Sequence, residues 1–537
     1  MKICYELRLI AAIFALLLMN CAVLLAQHTP PQELNQPFSF DDKKYETMVV
    51  AKIGGRPITA QEFLLSYAFG PAFPKREPDS KRRYLNFMMY EKLLALDGLA
   101  HHTDTTAIAR RTLAELEGDL ATEELYKDDV RSKVKVTQKE IHDGIRGESK
   151  HLTVRWLYAA TLAESQQQVV DLKHGVPFDS LYARHLSDSV KNDDRSMATT
   201  SFRLHIKNPL LANVIDTLHV RSYSLPVHVA DGFYILETAS AWTDPVATET
   251  EMAKLQSDVQ RALMQMKSDS LSDLYIKNLM TGQHPTIERK AFDILHVVMA
   301  KQILSPSKFA EWKLGDRLRE RWGITGEVGI QDHENDTLVQ LTSRVFAVSE
   351  FLDWYHAREY NLKLNESSPE AFFLSLESEV WQMVRDRLLT ARAFARGLQR
   401  RETVRKQREW WRDKIAYRLA KDAIMDSIPV NDSLLLAYYK EHLRDYRNAK
   451  GDTMAFDTSK DDVKKNYYTD KTTERLLHRM VALKKRYPIR VFDANLKSLN
   501  VENENDPKAI DVYIAKTGGI FPRQAFPTID FEWQTWN

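Results

Sequence analysis

Short apolar runs open the chain's patterned region: Val49-Val50-Ala51-Lys52-Ile53 and Arg56-Pro57-Ile58, on either side of Gly54-Gly55. Two glycines between such runs predict a β-hairpin, because both central residues of its turn take positive φ. Thr59 stands three residues before Glu62, a capping-box pair that predicts a helix start. Helical spacing of apolar residues, among them Tyr84, Phe87, Met88, Tyr90, Leu93, Leu94 and Leu96, continues with breaks to about Lys127. A looser copy follows much later. Leu338-Val339-Gln340-Leu341 and Val345-Phe346-Ala347-Val348 predict a second hairpin, and Ser349-Glu350-Phe351-Leu352 matches Gln61-Glu62-Phe63-Leu64. Arg387-Leu388-Leu389 parallels the stretch from Leu93, and Val430-Asn431 parallels Val136-Thr137. An ordered set of matches predicts a duplicated hairpin-plus-helices module.

Between the copies the period changes. Residues 151–161 read as a strand, Glu164–His174 as a helix stopped by Gly175, and Phe178–Leu186 as a second helix. Tyr223–Val229 and Phe233–Glu237 read as a closing hairpin turned at Asp231-Gly232. Strand, helices and hairpin make an α+β domain of ordinary size. Amphipathic helix resumes from Thr248 to Met280.

Composition narrows the class. With 537 residues, 44% hydrophobic and 28% charged, the chain has enough apolar material for several cores. Lys and Arg number 75 against 74 Asp and Glu, so net charge gives no argument for nucleic acid or anionic lipid. Only 18 glycines are present, with no phosphate-cradling loop and no Gly-x-Ser-x-Gly elbow. The start has the order of a secretory signal: Lys2 and Arg8, an apolar run from Leu9 to Ala26, then Gln27 and a Pro-containing stretch. Cleavage after Ala26 is the main expectation; a retained inner-membrane anchor, or lipidation at Cys21, are the alternatives. Both cysteines, Cys4 and Cys21, lie in this leader, so cleavage would leave a mature chain without thiol chemistry.

Within this pattern Lys173-His174-Gly175-Val176-Pro177-Phe178-Asp179-Ser180-Leu181-Tyr182-Ala183, Leu186-Ser187-Asp188-Ser189 and Leu225-Pro226-Val227-His228-Val229-Ala230-Asp231-Gly232-Phe233-Tyr234-Ile235-Leu236 resemble the helix, turn and closing hairpin of a parvulin-type peptidyl-prolyl isomerase. The hairpin from Val49 resembles the opening of the chaperone domain in the SurA/PpiD group of periplasmic chaperones. The resemblance implies a multidomain α+β protein: mostly helical chaperone modules flanking a small parvulin-like domain. The expected segments are a signal peptide at 1–26, a polar linker at 27–45, and a SurA-N-like hairpin with helices at 46–148. The parvulin-like domain spans 149–243, a helix and connecting segment 244–334, a second chaperone-like helical module 335–500 and a C-terminal tail 501–537. It also places the family's first-strand histidine at Arg155, its central Cys or Asp at Ser189, its last-strand histidine at Tyr234 and its pocket aromatic at Phe202. The family's Gly-Gly-Asp-Leu-Gly loop is replaced by Arg195-Ser196-Met197-Ala198-Thr199-Thr200-Ser201-Phe202.

Those substitutions bear on chemistry. Isomerisation needs a catalyst that binds the twisted amide better than its planar forms, against a barrier of about 18–20 kcal/mol. Phe202, Leu210, Leu211 and Val214 are the candidates for an apolar proline slot, and Arg155, Ser189 and Tyr234 for its polar groups. A guanidinium cannot be deprotonated and replaces a tuned imidazole poorly. The expectation is therefore a periplasmic folding factor that binds unfolded envelope or secreted polypeptides, outer-membrane β-barrels among them, with weak or no catalysis. An active prolyl isomerase and a structural subunit of an envelope complex are the alternatives. No cofactor, metal or nucleic acid is expected, and membrane contact only through an uncleaved anchor. Aromatic and Met-rich stretches, at Tyr67, Phe69, Phe73, Phe87–Tyr90 and again at Trp354, Tyr355, Phe372, Phe373, Trp381 and Met383, are either core or an apolar cradle for clients. The basic run from Gln399 to Lys421, with Trp410 and Trp411, reads as a solvated helix face with internal ion pairs. His101-His102 near Asp104 lacks the converging ligands of a metal site.

Overall fold

The computed structural model describes residues 43–184, 186, 194–229, 231–244, 248–326, 329–359, 362–447, 451–511, 521–522 and 525–535. The leader with both cysteines, and Ser189, lie outside the described residues. The protein is a multidomain, mostly helical α+β structure with three small antiparallel sheets. Two compact units are present: Tyr126–Thr281 forms one, and the described residues before Tyr126 join those from Gly282 onward in the other. The second unit thus takes its parts from both ends of the chain, so the sequence-based segments at 46–148 and 335–500 contribute to a common body.

The larger unit contains both hairpin modules. In the first, β1 (Val49–Ile53) and β2 (Arg56–Thr59) turn at Gly54 and Gly55, whose φ values of +53° and +90° suit the glycines. A short α1 (Lys43–Thr47) precedes them; α2 (Ala60–Phe69), α3 (Ser80–Ala100) and α4 (Ala107–Asp129) follow. Thr59 caps α2 by accepting from the Glu62 N–H at 3.2 Å, but the reciprocal half of the capping box is not made. The Glu62 carboxylate turns instead to Lys92, at 2.9 Å.

Chain order then places in the smaller unit α5 (Gln138–Ser149), β3 (Lys150–Ala159), α6 (Leu162–Lys173), α7 (Phe178–Arg184), β4 (Ser196–Thr200), α8 (Ser201–Lys207), α9 (Pro209–Ile215), β5 (Val227–Val229), β6 (Gly232–Thr243) and the long α10 (Glu249–Met280). The strands pair antiparallel in the order β4-β3-β6-β5. Val229 pairs with Gly232, so Gly232 already belongs to the return strand and not to the Asp231-Gly232 turn expected from sequence. Alternate residues of a strand point to opposite faces. One face buries Leu157 and Ile235 under α6 and α7, with Val169, Leu172, Phe178 and Leu181. The other buries Leu152, Val154 and Leu236 under α8 and α9, with Leu204, Ala212 and Ile215.

The second module repeats the first. After β7 (Thr286–Ile287), α11 (Arg289–Ile303), α12 (Pro306–Trp312) and α13 (Leu314–Trp322) come the hairpin β8 (Thr337–Gln340) and β9 (Val345–Ala347), then α14 (Val348–His356), α15 (Pro369–Ala395), α16 (Glu402–Asp426), α17 (Asp432–Glu441), α18 (Phe456–Arg486), β10 (Ile489–Val491) and α19 (Asp493–Lys497). Each hairpin takes a third strand on the same edge: β10 pairs with β1, and β7 pairs with β8. The strand that follows the first module's helices in sequence thus joins the second hairpin, and the strand that ends the second module joins the first. The Gly54 N–H donates to Pro488 O at 3.0 Å and the Thr342 N–H to Gln283 O at 2.7 Å, in equivalent places. Helices are exchanged likewise. α3 packs on α16, with the Gly98 backbone so close that an added Cβ would lie 2.4 Å from Ala416 O, while α4 packs on α15 through Gly118 and Thr390. This interleaving merges the first hairpin, α2, α3, α16 and α18 into one hydrophobic core.

Candidate functional site

The sheet of the smaller unit sorts the residues singled out from sequence. Register pairs Arg155 with Glu237 and Tyr158 with Tyr234. Directly paired residues share a face, and three steps along a strand reverse it. Arg155 and Tyr234 therefore lie on opposite faces and cannot belong to one catalytic site. This corrects the assignment made from the resemblance, and the reason is the pleat: a slip of one residue moves a side chain to the other side.

Arg155 is an ion-pair hub beneath the sheet. Its Nε donates to Glu237 Oε2 at 2.8 Å, its Nη2 bonds both that oxygen and Asp179 Oδ1, the latter at 2.6 Å, and its guanidinium lies over the Phe178 and Tyr182 rings. Burial works against its charge, but the Glu237 and Asp179 carboxylates more than compensate and hold its pKa above the ordinary value.

The opposite face carries an aromatic surface. Trp156, one residue on from Arg155, shares it with Tyr158 and Tyr234; Met197 comes from β4 and Val227 from β5. Leu211 and Val214 of α9 pack at its edge. All seven are half-buried. The Tyr158 and Tyr234 rings meet edge to face at 5.5 Å, and the Arg195 guanidinium lies 5.0 Å from the Tyr158 ring centre. Both phenols are tied to the closing turn: Tyr158 donates to Asp231 O at 2.7 Å and Tyr234 to Asp231 Oδ2 at 2.6 Å. Burial, followed by the Asp231 carboxylate, raises the Tyr234 pKa, so the phenol stays protonated at neutral pH. Gly232 is required here, since a Cβ would fall 2.7 Å from both Ala159 O and the Tyr158 ring. Among the described residues, the phenols on this face are held by hydrogen bonds to Asp231. The face offers apolar and aromatic contact with a guanidinium at its edge.

Of the four slot residues, Leu211 and Val214 join this surface. Phe202 does not. It packs with Val259 and Leu263 of α10 and against Gly144 and Gly147 of α5, where a side chain at Gly144 would strike both Val259 and Phe202. Phe202 is thus a core plug, drawn away by the helix pair that brackets the domain. Leu210 faces solvent, 52% exposed. Trp156 was overlooked in sequence, although its position two residues before Tyr158 carried the alternation that places it.

The cradle candidates are core for the most part. Tyr67, Phe87, Met88 and Met89 are buried in the first module, and Trp354, Tyr355, Phe372 and Met383 in the second. The basic run is in part the solvated face with internal ion pairs that was expected: Arg405 and Arg418 are exposed, and Lys406 and Arg412 pair with Glu402 and Glu409 of the same helix. It also reaches other elements: Arg401 bonds Glu124 at 2.9 Å, Arg408 bonds Glu117 at 2.9 Å, Arg412 bonds Asp104 at 2.7 Å and buried Lys414 bonds Glu91 at 2.6 Å. Among the described residues no cluster of three or more His, Cys, Asp or Glu is arranged to hold a metal ion, and no helix is long and apolar enough to cross a membrane.

Fold and surface together define a multidomain α+β protein of helical modules with a small four-stranded domain bearing an aromatic face. No family model and no curated protein matches the chain. Solved structures similar to part of it include two foldase chains. Foldase protein PrsA from Streptococcus pneumoniae is 14% identical, covering 42% of this chain and 89% of that one with a TM-score of 0.21. PrsA from Bacillus subtilis is 18% identical, covering 42% and 91% with a TM-score of 0.16.

Proposed function

We propose that the protein is an exported folding factor that binds unfolded envelope or secreted polypeptides, and that its four-stranded domain binds extended chain without appreciable prolyl isomerase activity. The half-exposed aromatic face formed by Trp156, Tyr158 and Tyr234 carries this reading. Unfolded chains expose apolar side chains, and a rigid aromatic surface offers contact area at little entropic cost. The engagement of both phenols with Asp231 favours binding over catalysis. Export to the periplasm follows from the reading of the leader at 1–26, and outer-membrane β-barrels are the clients such a location would provide.

Two assays on one preparation test the proposal: cis–trans isomerisation of a short Xaa-Pro peptide, and suppression of aggregation of an unfolded β-barrel protein. The expected result is isomerisation at the uncatalysed rate with reduced aggregation, the latter weakened by Trp156→Ala. Fast isomerisation that slows in Tyr234→Phe would make the protein an active isomerase instead. No effect in either assay would sink both readings and favour a structural subunit.

A further inference from the structure

At one buried position the two modules differ in a hydrogen-bond donor. Helices α2 and α14 begin at the equivalent caps Thr59 and Ala347. Phe63 and Tyr67 then correspond to Phe351 and Tyr355, and their ring pairs have matching separations of 5.6 and 5.8 Å. The same register sets Ser66 against Trp354. Along α3 and α15, buried Leu85 and Met88 match Val380 and Met383, which sets Glu91 against Asp386.

In the second module Trp354 is fully buried and donates its indole N–H to Asp386 Oδ2 at 3.0 Å. Ser66 cannot do the same for Glu91. Its hydroxyl meets that of Tyr84 instead, at 3.1 Å, and the indole donor comes from the far end of the chain: Trp533, 3% exposed, donates its N–H to Glu91 Oε1 at 2.9 Å. One interaction is thus supplied in two ways: by a helix residue in the second module, and by a terminal segment in the first.

The segment is seated as a bound peptide would be. Residues 525–530 have no regular secondary structure. The Trp411 indole donates to Ala525 O at 3.1 Å, and Phe526 stacks on Phe69. The Asp530 N–H donates to Glu91 Oε1 at 2.8 Å, while its carboxylate meets Lys414 Nζ at 2.8 Å and accepts from the Tyr417 hydroxyl at 2.8 Å. A cavity of about 50 Å³ remains beside Ser66, Trp410 and Pro527. Buried Glu91 and Lys414 make the groove demanding, because each charge needs partners that an apolar occupant would lack.

We propose that the groove between α2, α3 and α16 is a peptide-binding site for a segment that ends in a 3-10 turn, as residues 531–535 do, with an aspartate three residues before a tryptophan, and that residues 525–535 are its resident, exchangeable ligand. The proposal is independent of the aromatic face in the four-stranded domain.

Full-length protein and a fluorescein-labelled peptide of residues 525–537 test it by anisotropy. Wild type, with the groove filled, binds weakly. Trp533→Ala, which empties the indole position without altering the groove, binds at least tenfold tighter. Adding Ser66→Trp, which offers Glu91 the indole donor that Trp354 offers Asp386, removes that gain. Equal peptide binding by Trp533→Ala with and without Ser66→Trp, or none by a folded Trp533→Ala chain, overturns the proposal. A second measurement does not depend on Trp533→Ala folding. Ser66→Trp alone expels the resident segment, so chymotrypsin cleavage at Phe526 and Phe531 rises at least tenfold over wild type. Unchanged cleavage there also overturns it.

Discussion

Arg155→Ala separates the two faces of the sheet. The Arg155 side chain is 16% exposed and its partner Glu237 4%, so removing the guanidinium strands a carboxylate in the interior. Breaking a buried pair from one side costs about 3–5 kcal/mol, most of it the penalty for the abandoned charge. Asp179, 66% exposed, recovers water and adds little. Cooperative unfolding of a chain this size does not isolate one unit, so the loss is best read locally, by hydrogen exchange of β3 and β6 amides. Exchange there should accelerate by roughly two to nearly four powers of ten, at about 1.4 kcal/mol per tenfold. Arg155→Met with Glu237→Leu, which removes both charges and keeps the volume apolar, should restore most of the protection, since buried pairs are often replaced at no net cost. Binding of unfolded polypeptide should be unaffected once the fold is restored. An Arg155→Ala variant with wild-type exchange but no client binding would refute the reasoning and return Arg155 to the site.

Three further outcomes follow from buried groups elsewhere. His296 is buried between Phe372 and Phe373, its Nε2 without a hydrogen-bond partner, and burial, only partly opposed by Asp293, pulls its pKa down to about 4. Between pH 6.5 and 4 the unfolded chain takes up a proton that the folded one refuses, so stability falls by up to about 3 kcal/mol as pH drops through that window. The stability advantage of His296→Leu over wild type should therefore widen from pH 7 to pH 4 in denaturant titrations, and a pH-independent difference would exclude this cause. Trp354→Phe leaves the ring contacts but takes a donor from buried Asp386, and should cost about 1–3 kcal/mol in the same titrations. Gly54→Ala should destabilise more than Gly55→Ala as measured by thermal melting: both have positive φ, but only at Gly54 would a Cβ meet a neighbour, Tyr487, at 2.8 Å.

Local chemistry was legible wherever the signal is local. The Gly54-Gly55 hairpin, the Thr59 helix cap and the Gly175 helix stop each depend on a few adjacent residues, and they appear as the spacing implies. The site was less legible. A pattern of strand residues fixes two faces, but whether Arg155 or Trp156 faces Tyr234 depends on the pairing of β3 with β6, more than seventy residues apart, and on the bulge at Thr153 and Val154. Phe202 looked like a pocket residue because the resemblance placed the family's pocket aromatic there. Its capture by Gly144, Gly147 and Val259 involves helices before and after the domain.

By itself, the sequence determined the kinds of element and their order, because helix and strand periods, caps and turns are written in neighbouring residues. It also carried the duplication, since matched positions such as Glu62 and Glu350 recur in order. Only the tertiary structure decided that the copies exchange strands and helices, that the basic helix pairs several of its cations with other elements, and that Trp533 gives Glu91 the indole donor that Ser66 lacks. Such outcomes depend on which surfaces bury each other across hundreds of residues, and burial of a charge or an indole is a property of the partner as much as of the residue.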